Sequence, residues 1–322
     1  MRWAADRWYT VGDSFDKVTA DNRYFTNAKL APYSALYRIL YMVEQTLKVL
    51  KNTKLARGTY QLTLGAGGAF ALTAGQFINI RIPGRAELLL KRPFCIASAV
   101  RETGVFTVCF VVTGKGTEQL SMCAPGDLLQ ADFPLGNGFT LMPSHKNVAL
   151  VGGGAGIYPL LAACTMFRGV SFHTFLGFRS AEYVCLTQEF ESSSQTFTLC
   201  TDDGSAGTKG FVTYEFEKRL KSGGFDAVLA CGPQPMLAAL QQIMRGYPHI
   251  YAQASVEERM GCGVGACLVC ACAVQRGGKQ HNLRACKDGP VFMLEELDFS
   301  AQNSRAHGSA SNQTKGDTSC PT

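Results

Sequence analysis

Four cysteines near the end of the chain constrain it more than any other feature. Cys262, Cys267, Cys270 and Cys286 spell C-x4-C-x2-C, followed after fifteen intervening residues by the fourth cysteine. This is the ligand spacing of a plant-type [2Fe–2S] cluster. Thiolates supply soft anionic ligands for iron, and Gly261, Gly263 and Gly265 let backbone N–H groups approach the sulfurs, where hydrogen bonds tune the potential. A four-cysteine zinc knot is the alternative, although such knots normally use two C-x2-C pairs. Cys272 lies beside the motif but off its pattern and reads as a packed thiol.

The chain holds thirteen cysteines in 322 residues, and those outside the cluster fall in apolar runs rather than in an evenly spaced framework. That usage argues against a secreted disulfide scaffold and for a reducing, cytoplasmic setting. At 46% hydrophobic and 17% charged, the chain can bury a sizeable core and is not wholly disordered. Its net charge of +6 is scattered, which gives no footprint for nucleic acid. The first ten residues lack the apolar core of a signal peptide. Residues 147–167 carry no charge but contain Gly152, Gly153, Gly154, Gly156 and Pro159, which suit a strand-to-helix turn better than a membrane span. The apolar stretch 34–50 is interrupted by Arg38, Glu44 and Lys48 and reads as an amphipathic helix or a helix followed by a strand.

Texture divides the chain into parts. From 48 to 142, short alternating runs such as Ile78, Ile80, Ile82 and Phe106, Val108, Phe110 predict a small antiparallel β-barrel. From 143 to 254, apolar strands at 148–151, 170–178, 197–201 and 227–230 alternate with helix-length segments, which predicts a doubly wound parallel α/β sheet. Residues 255–299 hold the cysteine cluster and are too few to build much core, so a metal is expected to support them. Residues 1–47 form an aromatic-rich extension of unassigned role, either a docking arm or an appended helix, and 300–322 read as a disordered tail.

Three further motifs carry chemistry. The run 148–161, VALVGGGAGIYPLL, passes from an apolar strand through Gly152, Gly153, Gly154 and Gly156 into a helix, where free N–H groups and the dipole favour a pyrophosphate. Pro159 stands where a third fingerprint glycine would fall, so a plain tight turn remains open. Cys231, Gly232 and Pro233 repeat the strand–turn–helix pattern at the sheet edge where ligands bind. Arg92, Pro93, Phe94 and Cys95, followed by the turn Gly114-Lys115-Gly116-Thr117, offer a guanidinium and backbone donors to phosphate; alone, each reads equally as a surface arginine and an ordinary turn. Asp202 and Asp203 precede a glycine and suit a turn. Arg179 and Ser180 follow the second sheet strand, where an acidic ribose ligand would be expected, leaving NAD against NADP open. The five histidines are dispersed and suggest neither a metal site nor a triad.

In this order the motifs resemble one family, the electron-transfer subunits of NAD-dependent dihydroorotate dehydrogenase in the ferredoxin-reductase superfamily, over roughly residues 48–297. RPFCIAS, VTGKGTEQLS, PLGNGF, VGGGAGIYPLL, LGFRS, TDDGSAGTKGFVT, CGPQPML and SVEERMGCGVGACLVC carry the likeness. The resemblance implies an FAD-binding barrel, an NAD-binding α/β domain and a small C-terminal [2Fe–2S] domain. It places Arg92, Pro93, Phe94 and Cys95 along FAD, with Cys109, Phe110 and Val111 on a neighbouring strand and Gly116 and Thr117 at its pyrophosphate. NAD would meet the glycine loop and Cys231, Gly232 and Pro233. Cys95 stands where the family usually has serine, and a thiol is the poorer hydrogen-bond donor.

The implied role is a relay, with no catalytic residue acting on dihydroorotate in this chain. An FMN-containing catalytic subunit, paired with it as a heterotetramer of two of each, would oxidise dihydroorotate in pyrimidine biosynthesis. Electrons would cross the cluster to FAD and then reach NAD+. Two alternatives stand beside this one. One is a related flavin/iron–sulfur NAD(P)H reductase subunit linked to ferredoxin, sulfide or a hydrogenase, and the other is a non-catalytic zinc-binding module.

Overall fold

A computed structural model describes residues 44–82 and 87–300. The expected extension up to residue 43 and the expected tail beyond residue 300 lie outside the described residues. Six strands close into an antiparallel barrel in the order β1-β2-β5-β4-β3-β6. They are β1 (Gln45–Ala56), β2 (Thr59–Gly65), β3 (Phe77–Arg81), β4 (Arg92–Val100), β5 (Val105–Val111) and β6 (Leu128–Leu135), with α1 (Lys115–Ser121) between the last two. Alternation fills the interior: Leu62 and Leu64, Ile78 and Ile80, Phe106 and Val108, and Leu129, Ala131 and Phe133 all point into one core. Closure leaves no free strand edge. The first strand begins at Gln45, ahead of the boundary expected at 48, because Leu47 is fully buried and pairs with Leu129.

Beyond the barrel, β7 (Asn147–Gly153), α2 (Ile157–Met166), β8 (Ser171–Phe178), α3 (Thr187–Ser193), β9 (Thr196–Thr201), β10 (Thr208–Lys209), α4 (Val212–Leu220), β11 (Ala227–Cys231), α5 (Gln234–Met244) and β12 (Tyr251–Ser255) build the doubly wound domain. A hairpin follows, of β13 (Ala271–Arg276) and β14 (Lys279–Arg284), and then β15 (Val291–Met293). The sheet order is β10-β9-β8-β7-β11-β12-β15, with every pairing parallel except the last. The strand order reverses beside β7 and β11, whose carboxyl ends therefore flank the crevice where open α/β sheets bind ligands.

Two packing facts position the site. Ala97 of β4 and Cys109 of β5 share a buried cluster with Ile157, Tyr158 and Val148, so the barrel leans directly on the start of α2. The cysteine-bearing segment, expected to hold little core of its own, joins the core of the sheet. Strand β15 pairs with β12, and Cys270, Cys272, Cys286, Phe292, Leu294 and Phe299 lie in one cluster with Ala230 and Leu240. Among the described residues no helix is long and apolar enough to cross a membrane.

Phe133 is 1% exposed, and Phe70 meets it edge-on at 5.2 Å. Phe133→Ala is expected to lower stability by about 3–5 kcal/mol, read as a shift of the urea midpoint.

Candidate functional site

The cysteine loop between β12 and β13 organises its thiols through the backbone. Cys262 Sγ accepts from the N–H groups of Val264, Ala266 and Cys267 at 3.4, 3.3 and 3.4 Å. Burial pushes this thiol up, but those donors outweigh it and bring Cys262 down to about 6. The four thiols fall into two pairs: Cys262 N–H donates to Cys267 Sγ at 3.3 Å, and Cys286 N–H donates to Cys270 Sγ at 3.4 Å. Among the described residues no group of three metal-ligating side chains is gathered at one point. Two thiol pairs instead suit a binuclear centre with two ligands on each iron, and the donor set fits that group. Cys272 is fully buried on β13, and burial pushes it up to about 12, in keeping with a packed thiol.

Arg284 at the end of β14 fastens the loop. Its Nε and Nη2 donate to Asp288 at 2.8 and 3.1 Å, and its Nη1 reaches the Gly265 carbonyl at 3.3 Å. On the opposite side, a Cβ at Gly263 would lie 2.6 Å from Asn79 Nδ2, which shows how closely the loop approaches β3. Asn79 is 1% exposed, and its register partner on β4 is Pro93 of the arginine motif. The cysteine loop and the expected flavin strand are thus separated by a single strand, roughly 5 Å for each strand spacing.

Along β4, Arg92 donates from Nη1 to the carbonyls of Leu88 and Leu90. A side chain at Gly116 would collide with that guanidinium, so the arginine and the expected turn, which the structure makes the first turn of α1, lie together. Thr117 Oγ1 closes the turn, accepting from Thr113 and Gly114 N–H at 2.9 and 3.2 Å. Phe94 packs on Phe110 at 5.4 Å. Cys109 and Phe110 turn their side chains into the core, so they can offer an outside ligand only backbone; Val111 is half-buried.

At the sheet edge the two glycine motifs also meet. Gly152 and Gly153 end β7, and Gly154 adopts a φ of 53°, where glycine is favoured. A Cβ on Gly156 would strike the Cys231 carbonyl and the Gly232 nitrogen, and one on Gly153 would lie 3.0 Å from Pro233 Cδ. The first turn of α2 follows with no acidic residue. Beside Cys231 in register stands the buried Ser255. Burial, reinforced by the Glu257 carboxylate, raises Cys95 to about 12 and lifts Cys231 well above its usual range. The carboxyl of Glu257, an exposed residue, is itself raised by the desolvation its neighbours impose. Cys95 of the flavin motif and Cys231 of the nucleotide edge therefore lie near one another, with Glu257 close to both. Sequence reasoning missed Glu257, Asn79 and Arg284. Only Glu257 had a signal, an acid just past the carboxyl end of a parallel strand.

Asp288's carboxyl is held below the ordinary 3.8 by its hydrogen bonds from Arg284. Arg284→Gln should speed amide exchange of residues 262–267 in the iron-free chain by about tenfold, the size of one charged hydrogen bond. Because the folded value is depressed, the difference between the two proteins should be full above about pH 4 and fade as pH falls further.

Comparison with known proteins agrees with this geometry. Residues 257–298 match the family described as the iron–sulfur cluster binding domain of dihydroorotate dehydrogenase B. The dihydroorotate dehydrogenase B (NAD(+)) electron transfer subunit of Geobacillus kaustophilus is 39% identical over 258 residues, covering 79% of this chain and 98% of that protein. The subunit of the same name from Streptococcus mutans is 35% identical, covering 80% and 98%. Among solved structures, one reported for NADH-dependent reduced ferredoxin-NADP oxidoreductase and flavin-based electron bifurcation superposes with a TM-score of 0.70 at 30% identity, over 81% of this chain and 92% of that one. Phthalate dioxygenase reductase shares the fold, with a TM-score of 0.55 at 19% identity over 75% and 77%. With its barrel, its doubly wound sheet and its paired thiols in this order, the chain belongs to the family of electron transfer subunits of dihydroorotate dehydrogenase B.

Proposed function

We propose that this chain carries FAD and a [2Fe–2S] cluster and passes electrons from an FMN-containing dihydroorotate dehydrogenase subunit to NAD+, in the cytoplasm, as two copies of each subunit. The observation that carries the reading is the placement of Asn79, which touches the cysteine loop at Gly263 and pairs with Pro93 on the flavin strand. A relay needs its two centres this close and in one rigid body.

When bound, the flavin joins the one-electron chemistry of an iron–sulfur cluster to the two-electron hydride chemistry of nicotinamide. The chain's residues supply the holding and the spacing. Cys262, Cys267, Cys270 and Cys286 would ligate iron, with backbone N–H groups already aimed at Cys262. Arg92, Pro93, Phe94 and Cys95 would line FAD, backed by Cys109, Phe110 and Val111, and Gly116 and Thr117 would meet its pyrophosphate. Gly152, Gly153, Gly154 and Gly156, with Cys231, Gly232 and Pro233, would receive NAD at the α2 N-terminus. The high thiol of Cys95 stays protonated at neutral pH, so it can only donate weakly there and adds no charge beside the flavin.

Anaerobic visible absorption is the test. Flavin bands and a broad iron–sulfur envelope should both bleach with NADH, and iron should approach two atoms per chain. Cys270→Ser should lose the envelope and most of the iron while the flavin bands still bleach. The pure chain should form no orotate from dihydroorotate until the FMN subunit is added; orotate from the chain alone would overturn the assignment. Zinc without iron would move the reading to a non-catalytic binding module.

A further inference from the structure

Strand β3 sends Ile78 and Ile80 into the barrel core, so alternation turns Phe77 and Asn79 to the outer face. Phe77 is taken up there by the core of the sheet. Asn79 is polar, yet only 1% of it is exposed. Its register partners are Pro93 on β4 and Asp132 on β6, and the cysteine loop reaches it at Gly263.

The chain leaves this amide unfinished. Asn79 Oδ1 is buried without a hydrogen-bond partner, whereas the large majority of buried side-chain polar atoms have one. Neither register partner can supply a donor from its side chain. Pro93 has none, and the Asp132 carboxylate is an acceptor, with both oxygens held by Lys91 Nζ at 2.8 Å. Asn79 Nδ2 lies on the loop side, 2.6 Å from where a Cβ on Gly263 would stand. Gly263 holds a left-handed φ of 74° and follows Cys262, whose Sγ gathers three backbone donors. The donor end of the amide therefore borders the loop of one expected redox group, and its strand pairs with the strand of the other.

Chemistry sorts the two ends. The sulfurs of an iron–sulfur centre only accept hydrogen bonds, so they can take the amide N–H. A flavin carries ring N–H and ribityl O–H donors, which suit the oxygen. We propose that Asn79 is a hydrogen-bond bridge between the two redox groups, its N–H donating to a sulfur of the iron–sulfur centre and its oxygen accepting from the flavin. This rests on the reading of the chain as a flavin and iron–sulfur relay, and it adds a residue that holds the flavin and sets the potential of the cluster. A donor to sulfur stabilises the reduced, more negative state, so Asn79 raises that potential.

Asn79→Leu, similar in shape but without polar atoms, tests the bridge in the cofactor-loaded full-length chain. Titration followed by electron paramagnetic resonance should place the cluster potential about 60 mV lower, a tenfold change in its one-electron equilibrium. The Kd for FAD should rise about tenfold, the size of one hydrogen bond to a buried group. With nitrogen-15 in its asparagines, the unsubstituted chain should show a nuclear coupling to the reduced cluster that disappears in Asn79→Leu. In the cofactor-free chain the same substitution should leave the urea midpoint unchanged or raised, because it removes an unpaired buried oxygen. An unmoved cluster potential, an unmoved FAD affinity or a nitrogen coupling that survives the substitution overturns the bridge and leaves the relay standing. So does a lowered midpoint or a failure to fold without cofactors, either of which makes the amide a structural group. An unsubstituted chain that shows neither flavin bands nor an iron–sulfur signal rejects the relay reading, and the bridge with it.

Discussion

Sulfur that carries charge inside a protein must be met by dipoles, and this requirement shapes everything around the cysteine loop. Three N–H groups converge on Cys262 because the chain wraps tightly enough to turn them inward. A loop so wound leaves Val264, Leu268 and Val269 exposed, and it holds its shape because its surroundings are rigid. Arg284 fastens it from β14, Asn79 abuts it from the barrel, and the second thiol pair sits in the core of the sheet. The barrel and the sheet are in turn locked through Ala97, Cys109 and the first turn of α2. The geometry of the sulfurs thus draws on the packing of the whole described body.

Sequence and structure meet where the signal is local. The C-x4-C-x2-C spacing, the strands of the parallel sheet and the glycine turn after β7 are short-range patterns whose physics is contained in a few neighbouring residues, and the fold follows them within a residue or two. What escaped the sequence depends on pairing between distant segments. Asn79 looks like an ordinary outward residue of an alternating strand, yet it is buried where Gly263 arrives against it. Strand β15 has three residues, too few for any periodic signal, and exists because β12 offers it an open edge.

A similar point holds for the site motifs. Arg92 and the Gly116 turn gave separate, weak signals, and so did the two glycine-rich strand ends. Each pair becomes informative once folding places a guanidinium over Gly116 and the Cys231 carbonyl against Gly156. Close approach of this kind tolerates only glycine, which explains the residue type without any appeal to flexibility. Cys109 shows the reverse: a residue assigned to the cofactor by resemblance has its thiol sealed in the core.

The pairing of Ser255 with Val291 has a topological meaning. These two residues are direct neighbours across the sheet, so everything between them is an excursion whose two feet stand side by side. Closing such an excursion is an entropic expense that grows only slowly with its length, and it is met by sheet hydrogen bonds rather than by iron. The nucleotide domain can therefore complete its last strand before any metal arrives.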